Sequence, residues 1–290
     1  MKAAPFEYVR PASVEETVAA LTSGADGAEI KILAGGQSLV PLLALRMARP
    51  SVLVDINRVA ELTGFTRTDG AGSAEVEVGA LTRHSALATQ TEHPLLAEAA
   101  RWIGHPAIRS RGTAAGSLAH ADPAAELPVV AVACGAVATV VGPAGSRRVP
   151  AAELFLGPLM STLGEDELIT SVTFPVPARW GFAEFARRHG DFALVSVAVA
   201  EVAGEVSIAL GGVGGVPVRA VAGERVLARG GSVDEVVAEV RAELTPTGDL
   251  HASADYRRAL AGELVRRALD QAGLGAGGCL GAGGCFGAGG

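Results

Sequence analysis

The stretch Lys31 to Pro41, KILAGGQSLVP, starts as a buried strand and then gives up its side chains at Gly35 and Gly36 before turning apolar again at Leu39. Two glycines directly after a strand let backbone N–H groups converge on an anion, and Gln37 and Ser38 add side-chain donors. Ala34, Gly35, Gly36, Gln37 and Ser38 are therefore candidate phosphate contacts. A plain glycine turn between strand and helix is the competing account. GxGxxG is missing, and Lys31 precedes the glycines instead of following them, so the segment is neither a dinucleotide fingerprint nor a P-loop.

A second segment, Ser110 to Pro128 (SRGTAAGSLAHADPAAELP), has the same texture. Gly112 and Gly116 allow close backbone approach, Thr113 and Ser117 carry hydroxyls, and Asp122 and Glu126 are acceptors suited to a ribose or to aligning a neighbouring helix. Asp122-Pro123 reads equally well as a helix start. Arg109 and Arg111 flank Ser110, where they meet a phosphate, a partner's carboxylate or only solvent. Converging in one cleft, the two segments would surround a pyrophosphate with neutral donors, while Ala and Gly let a flat ring lie close.

Around these segments the pattern alternates between helix and strand. SVEETVAALTS, opened by Ser13 with Glu16 three residues on, predicts a capped helix. EIKILAGG and SVLVDIN predict strands, and LVPLLALRMARP a helical or irregular piece ended by Pro50. AEVEVGAL alternates with period two, HSALATQTEHPLLAEAARWIG splits into two helical pieces at His93-Pro94, and ELPVVAVACGAVATVVG predicts a helix running into a strand. DELITSVTFPVP is an extended run stopped by Pro175 and Pro177. FALVSVAVAEV and EVSIALGGVG follow as adjacent strands, then three helical stretches. The expected divisions are 1–57, 58–177, 178–272 and a Gly-rich tail, 273–290, whose GAGGC repeat has little to pack and is expected to be disordered.

Composition removes several functions. At 290 residues the chain buries a sizeable core as two or three domains. Its net charge of -7, with scattered basic residues, argues against nucleic acid as the main partner. Cys134, Cys279 and Cys285 form neither a disulfide framework nor a cluster motif. His84, His93, His105, His120 and His189 show no metal-binding spacing, so no metal site is expected. Ser38 and Ser117 lack a partner base, so no catalytic residue is assigned. Trp102 reads as a helix residue packed on the core. Without a signal-like apolar run or a spanning segment, a cytoplasmic setting is expected.

The two glycine segments resemble those of the FAD-binding medium subunit of the molybdenum hydroxylases, the group that includes aerobic carbon monoxide dehydrogenase and the xanthine and aldehyde oxidoreductases. The likeness is carried by KILAGGQSLVPLLALRMARPSVLVDINRVAEL and HPAIRSRGTAAGSLAHADPAAELP. It extends through VGALTRHSAL, VPAAELFLG and RRHGDFALVSVAV.

The resemblance implies an α+β chain with the FAD-binding fold of the vanillyl-alcohol oxidase type (PCMH-like). Two α/β portions would precede a C-terminal three-stranded antiparallel sheet plus helices. It also implies that Ala34 to Ser38 and Thr113, Ala114, Ala115, Gly116 and Ser117 carry the FAD pyrophosphate, with Lys31 beside it and Asp122 and Glu126 as acceptors nearby; His120, inside the second segment, either faces the cofactor or caps a backbone group. Leu163 would approach the flavin or adenine side, and Arg187 to Phe192 the isoalloxazine.

Three positions depart from the family pattern: Ala115 stands where a second glycine is common, Glu126 where Asp is common, and Glu184 where a lysine is often found. The implied role is electron relay, from [2Fe–2S] clusters on a small iron–sulfur subunit, through FAD, to an external acceptor. A large molybdopterin subunit would hydroxylate the substrate, with two heterotrimers forming a dimer. A self-contained FAD oxidoreductase and a non-catalytic assembly protein are the competing expectations.

Overall fold

The computed structural model describes residues 2–23, 28–70 and 73–275. The GAGGC repeat from 276 onward lies outside the described residues. The first three residues of the expected tail instead close the last helix: Gly273 is left-handed (φ +69), and Leu274 N–H donates to Leu269 O at 2.8 Å. This is a Schellman ending.

The N-terminal portion contains β1 (Glu7–Val9), α1 (Val14–Thr22), β2 (Ile30–Leu33), α2 (Leu39–Ala44) and β3 (Val52–Asp55). Its sheet is parallel, in the order β1-β3-β2, with Glu7 and Ile30 both opposite Val52. Ser13 caps α1 as expected, its Oγ accepting from Glu16 N–H at 3.1 Å, while the Glu16 carboxylate reaches back to Ala12 N–H at 2.7 Å. Such a cap is worth about 1 kcal/mol. The helix α2 stops six residues before Pro50, because Arg46 turns left-handed (φ 58). The proline therefore does not end it.

The second portion begins with β4 (Phe65–Asp69), β5 (Ala74–Gly79), α3 (His84–Leu87), α4 (Pro94–Trp102), α5 (Pro106–Arg109) and α6 (Ala114–His120). It continues with α7 (Glu126–Cys134), β6 (Val137–Gly142), β7 (Gly145–Pro150), α8 (Ala151–Leu154), β8 (Phe155–Gly157), β9 (Met160–Ser161) and β10 (Leu168–Pro175). Five strands pair antiparallel in the order β4-β5-β10-β6-β7. At the expected break, His93 caps α4, with Nδ1 accepting from Leu96 N–H at 3.1 Å and Pro94 as the first helical residue. Trp102 packs on the core, tilted against Phe182 with ring centroids 6.4 Å apart.

The third portion has β11 (Arg179–Phe185), β12 (Val195–Val202), β13 (Glu205–Gly211), β14 (Val218–Arg219), α9 (Val221–Ala228), α10 (Val233–Glu243) and α11 (Ala254–Gln271). The sheet is antiparallel but has four strands, where three were expected, because the two-residue β14 adds to the edge of β13. Period-two alternation gives this sheet two unlike faces. Val195, Val197, Val199, Ile208 and Leu210 pack with the buried residues of α9–α11, whereas Phe182, Ala198, Ala200 and Ala209 join the other core. Small side chains on that second face let α7 lie close, and every residue of α7 is buried. A helix covered on all sides is apolar all round. Among the described residues, no helix is long and apolar enough to cross a membrane.

Candidate functional site

The first glycine segment leaves β2 and the second runs from α5 into α6, and the fold presses them together. A Cβ on Gly35 would lie 2.3 Å from Arg111 O and 2.8 Å from Gly112 Cα. Only hydrogen fits there. A Cβ on Gly116 would lie 2.5 Å from Thr113 Oγ1 and 3.8 Å from Ala34 Cβ. Gly36 is left-handed at φ +74, and its carbonyl accepts from Val40 N–H at 3.0 Å. Among the described residues, none accepts a hydrogen bond from the backbone N–H groups of Gly35 to Ser38. Successive unengaged N–H groups around a left-handed residue form an anion-binding concavity.

A polar latch joins the segments. The Asp55 carboxylate accepts from Tyr8 and from the side-chain and backbone N–H groups of Asn57. So oriented, Asn57 Nδ2 donates to Ala34 O at 2.8 Å, while its Oδ1 accepts from Arg83 Nη2 at 2.6 Å. Arg83 Nη1 then donates to Arg111 O at 2.5 Å, the oxygen that faces Gly35. Beneath it, the His84 ring sits 2.6 Å from where a Gly112 Cβ would be, and His84 Nε2 donates to Thr113 O at 2.9 Å. Burial holds the His84 imidazole down at about 4, so it is neutral, and among the described residues its Nδ1 has no partner.

The other expected site residues take varied places. Ala114 and Ala115 donate backbone N–H groups to Thr82 O and Ala80 O, fixing the start of α6 against the strand-to-helix turn. Ala115 is buried in helical backbone, so its methyl is accommodated where a glycine is common. Thr113 is buried and its Oγ1 has no partner among the described residues, whereas Ser117 lies in the first turns of α6 and donates its N–H to Thr113 O. Gln37 folds back to Gly35 O at 3.3 Å, and Ser38 precedes α2 without capping it.

His120 ends α6, half-buried. Asp122 does not start a helix: its carboxylate accepts from Ala124 N–H at 2.9 Å in a turn, and α7 begins at Glu126. Lys31 pairs with Glu29 at 3.5 Å on the surface, and Leu163 packs against the main core. Arg109 is spent on the carbonyls of Ile103 and Gly104, so it reads as a helix-end clasp and not a phosphate contact.

Asp122 and Arg187 line a cavity of about 360 Å³ with Phe192, Leu194, Gly212 and Arg257. Arg257 is buried and braces its wall, donating to Gly212 O at 2.9 Å and to the Asp249 carboxylate at 2.7 Å. Glu126 is buried at the first position of α7. Sequence reasoning missed Asn57, Arg83, Asp249 and Arg257. Their partners are distant in the chain, and only the DIN motif, an acidic residue two before an amide, hinted at the latch.

The FAD binding domain in molybdopterin dehydrogenase matches residues 4–177, and the CO dehydrogenase flavoprotein C-terminal domain matches residues 180–272. The chain is 40% identical to the nicotine 6-hydroxylase medium subunit of Paenarthrobacter nicotinovorans, over 94% of this chain and 99% of that one. It is 43% identical to the 6-hydroxypseudooxynicotine dehydrogenase complex subunit alpha of the same organism, over 94% and 96%. Among solved structures it superposes on quinoline 2-oxidoreductase from Pseudomonas putida 86 with a TM-score of 0.86 and 36% identity, covering 94% of this chain and 99% of that one. With both halves of the chain matched and near-complete coverage of its relatives, the chain belongs to the FAD-binding medium subunits of the molybdenum hydroxylases, of the carbon monoxide and xanthine dehydrogenase type.

Proposed function

We propose that this chain is the electron-transfer subunit of a cytoplasmic molybdenum hydroxylase, taking electrons from [2Fe–2S] clusters of a small partner and passing them through FAD to an external acceptor. The observation that carries this reading is the contact of Gly35 with Arg111 and Gly112, which closes two glycine segments into one cradle. The cradle fits a pyrophosphate: among the described residues the neutral N–H groups from Gly35 to Ser38 have no acceptor, and the Thr113 hydroxyl has no partner. Bound FAD would supply the exchange between one-electron and two-electron carriers.

The chain's own residues hold and orient. Asn57 and Arg83 keep the two halves of the cradle in register. Arg187 and Phe192 line the cavity where the ring end would lie, and Phe192 offers an exposed aromatic face for stacking. The substrate would be hydroxylated on a large molybdopterin subunit, within a dimer of heterotrimers.

Co-expression with a cluster-bearing small chain and a molybdopterin-bearing large chain tests the reading. Substrate is expected to bleach the flavin absorbance only when all three chains are present. An isolated FAD-loaded chain that oxidises the organic substrate by itself would establish the self-contained oxidoreductase instead.

A further inference from the structure

Two buried carboxyl groups, Glu126 and Glu184, have no cation paired with them among the described residues. Glu126 is the first residue of α7, and Glu184 stands opposite Ser196 in the β11–β12 ladder. Their residues are 7% and 8% exposed. Both side chains come from layers that pack together, since α7 lies against the small-residue face of the C-terminal sheet. Among the described residues neither forms an ion pair, and Glu184 Oε2 and the neighbouring Ser196 Oγ have no hydrogen-bond partner. Gly211, also opposite Ser196, keeps the space open: a Cβ there would lie 2.7 Å from Ser196 Oγ and 2.7 Å from Val129 Cγ2.

Two buried carboxyls without a cation cannot both ionise readily. Burial raises both, and the charge of Glu126 raises Glu184 further, while Asp122 adds to the effect on Glu126. Its own backbone N–H, at the start of α7, favours the Glu126 carboxylate, so it ionises first and Glu184 keeps the proton. Other groups around them do not change this balance. His93 and Cys134 sit at the far end of α7, in contact at 3.9 Å; α11 presents neutral Gln271 to β11, and α4 presents Trp102. Arg187 and Arg257 line the cavity, and the Arg257 guanidinium is engaged by Leu194 O, Gly212 O and the Asp249 carboxylate.

The pair is one short step from that cavity. Pro123, three residues before Glu126, accepts from Gly212 N–H at 2.9 Å, and both line the wall, as do Arg187, three residues beyond Glu184, and Leu194, two before Ser196. We propose that Glu126 and Glu184 hold one proton between them and take up a second when negative charge enters the cavity, serving as a charge-compensating proton store. The inference rests on the flavin reading. Each electron arriving from the iron–sulfur donor adds one negative charge, and one solvent hydronium gives up a proton that forms an O–H bond on the Glu126 carboxylate, leaving neutral water behind. That bond breaks, and the proton returns to water, when the electron leaves.

Infrared spectroscopy of the full chain tests this in two arms. In the oxidised chain, a buried protonated-carboxyl band is expected at neutral pH and is lost on alkaline titration. Glu184→Gln should abolish it and let Glu126 ionise at lower pH; Glu126→Asp is the milder second variant and should shift the band's titration. A missing band, or one unchanged in both variants, overturns the pair. This arm needs no flavin.

In the second arm, the midpoint potential of bound flavin should vary with pH in the unaltered chain, and Glu126→Gln should lose part of that variation. Identical pH dependence in both overturns the coupling. A colourless chain that still shows the band overturns the flavin reading and the coupling with it, while the shared proton stands.

Discussion

Gly35 and Arg111 approach so closely that the carbonyl oxygen of one occupies the place a side chain would need on the other, 2.3 Å from an ideal Cβ. The obstruction is backbone, which cannot swing aside. Gly35→Ala therefore has to part the two segments, at a destabilisation of about 1–3 kcal/mol. FAD affinity, followed by fluorescence titration, is expected to fall at least ~10-fold, since a loss of about 1.4 kcal/mol gives that factor.

The latch carries a second prediction. Arg83 donates to Arg111 O and to Asn57 Oδ1, and Asn57 in turn holds Ala34 O. Hydrogen bonds involving a charged group contribute about 1.5–3 kcal/mol. Arg83→Ala should weaken FAD binding while leaving the protein folded, and Asn57→Ala should do the same. Because both act through one network, the double variant should lose less than the sum of the two, as a double-mutant cycle in isothermal titration would reveal.

Acid should destabilise the fold through two histidines. Burial holds His84 and His93 at about 4, below the ordinary 6.5, so the unfolded chain binds more protons between those values. Their stabilising contribution is fully present above about 6.5 and is lost as the pH falls toward 4. Each is worth about 3 kcal/mol over that window, at 1.36 kcal/mol for each of roughly 2.5 pH units. Urea melts of the unaltered chain across pH 4 to 7 should show the loss, and His93→Gln should flatten it even though the variant starts less stable.

Much of the frame can be read before folding because its signals are local. Ser13 and Glu16 announce α1, alternation announces β5, and the glycines after β2 announce a turn with exposed backbone. The missed strands are those without a local signature. β1 is three residues, none of them buried, and forms only by parallel pairing with β3. β11, RWGFAEF, is defined by seven pairings to β12, running from Phe185 opposite Val195 to Arg179 opposite Glu201, and not by a pattern of its own. The site divides in the same way. Its glycines are legible because bare backbone is a chemical property of the residue, whereas Arg83, Asn57 and the Glu126–Glu184 pair gain meaning only from partners the fold supplies. Glu126 is the instructive case: an acceptor next to a glycine segment suggests a ligand contact, and only the fold shows that it is buried at the start of α7.

The flavin content of the purified full-length chain tests the central claim most directly. Visible absorbance against protein concentration is expected to give about one FAD per chain, taken up again after removal, with Gly35→Ala folded by circular dichroism but depleted of flavin. A colourless chain that takes up no added FAD, or a Gly35→Ala variant that retains it fully, would contradict the split cradle.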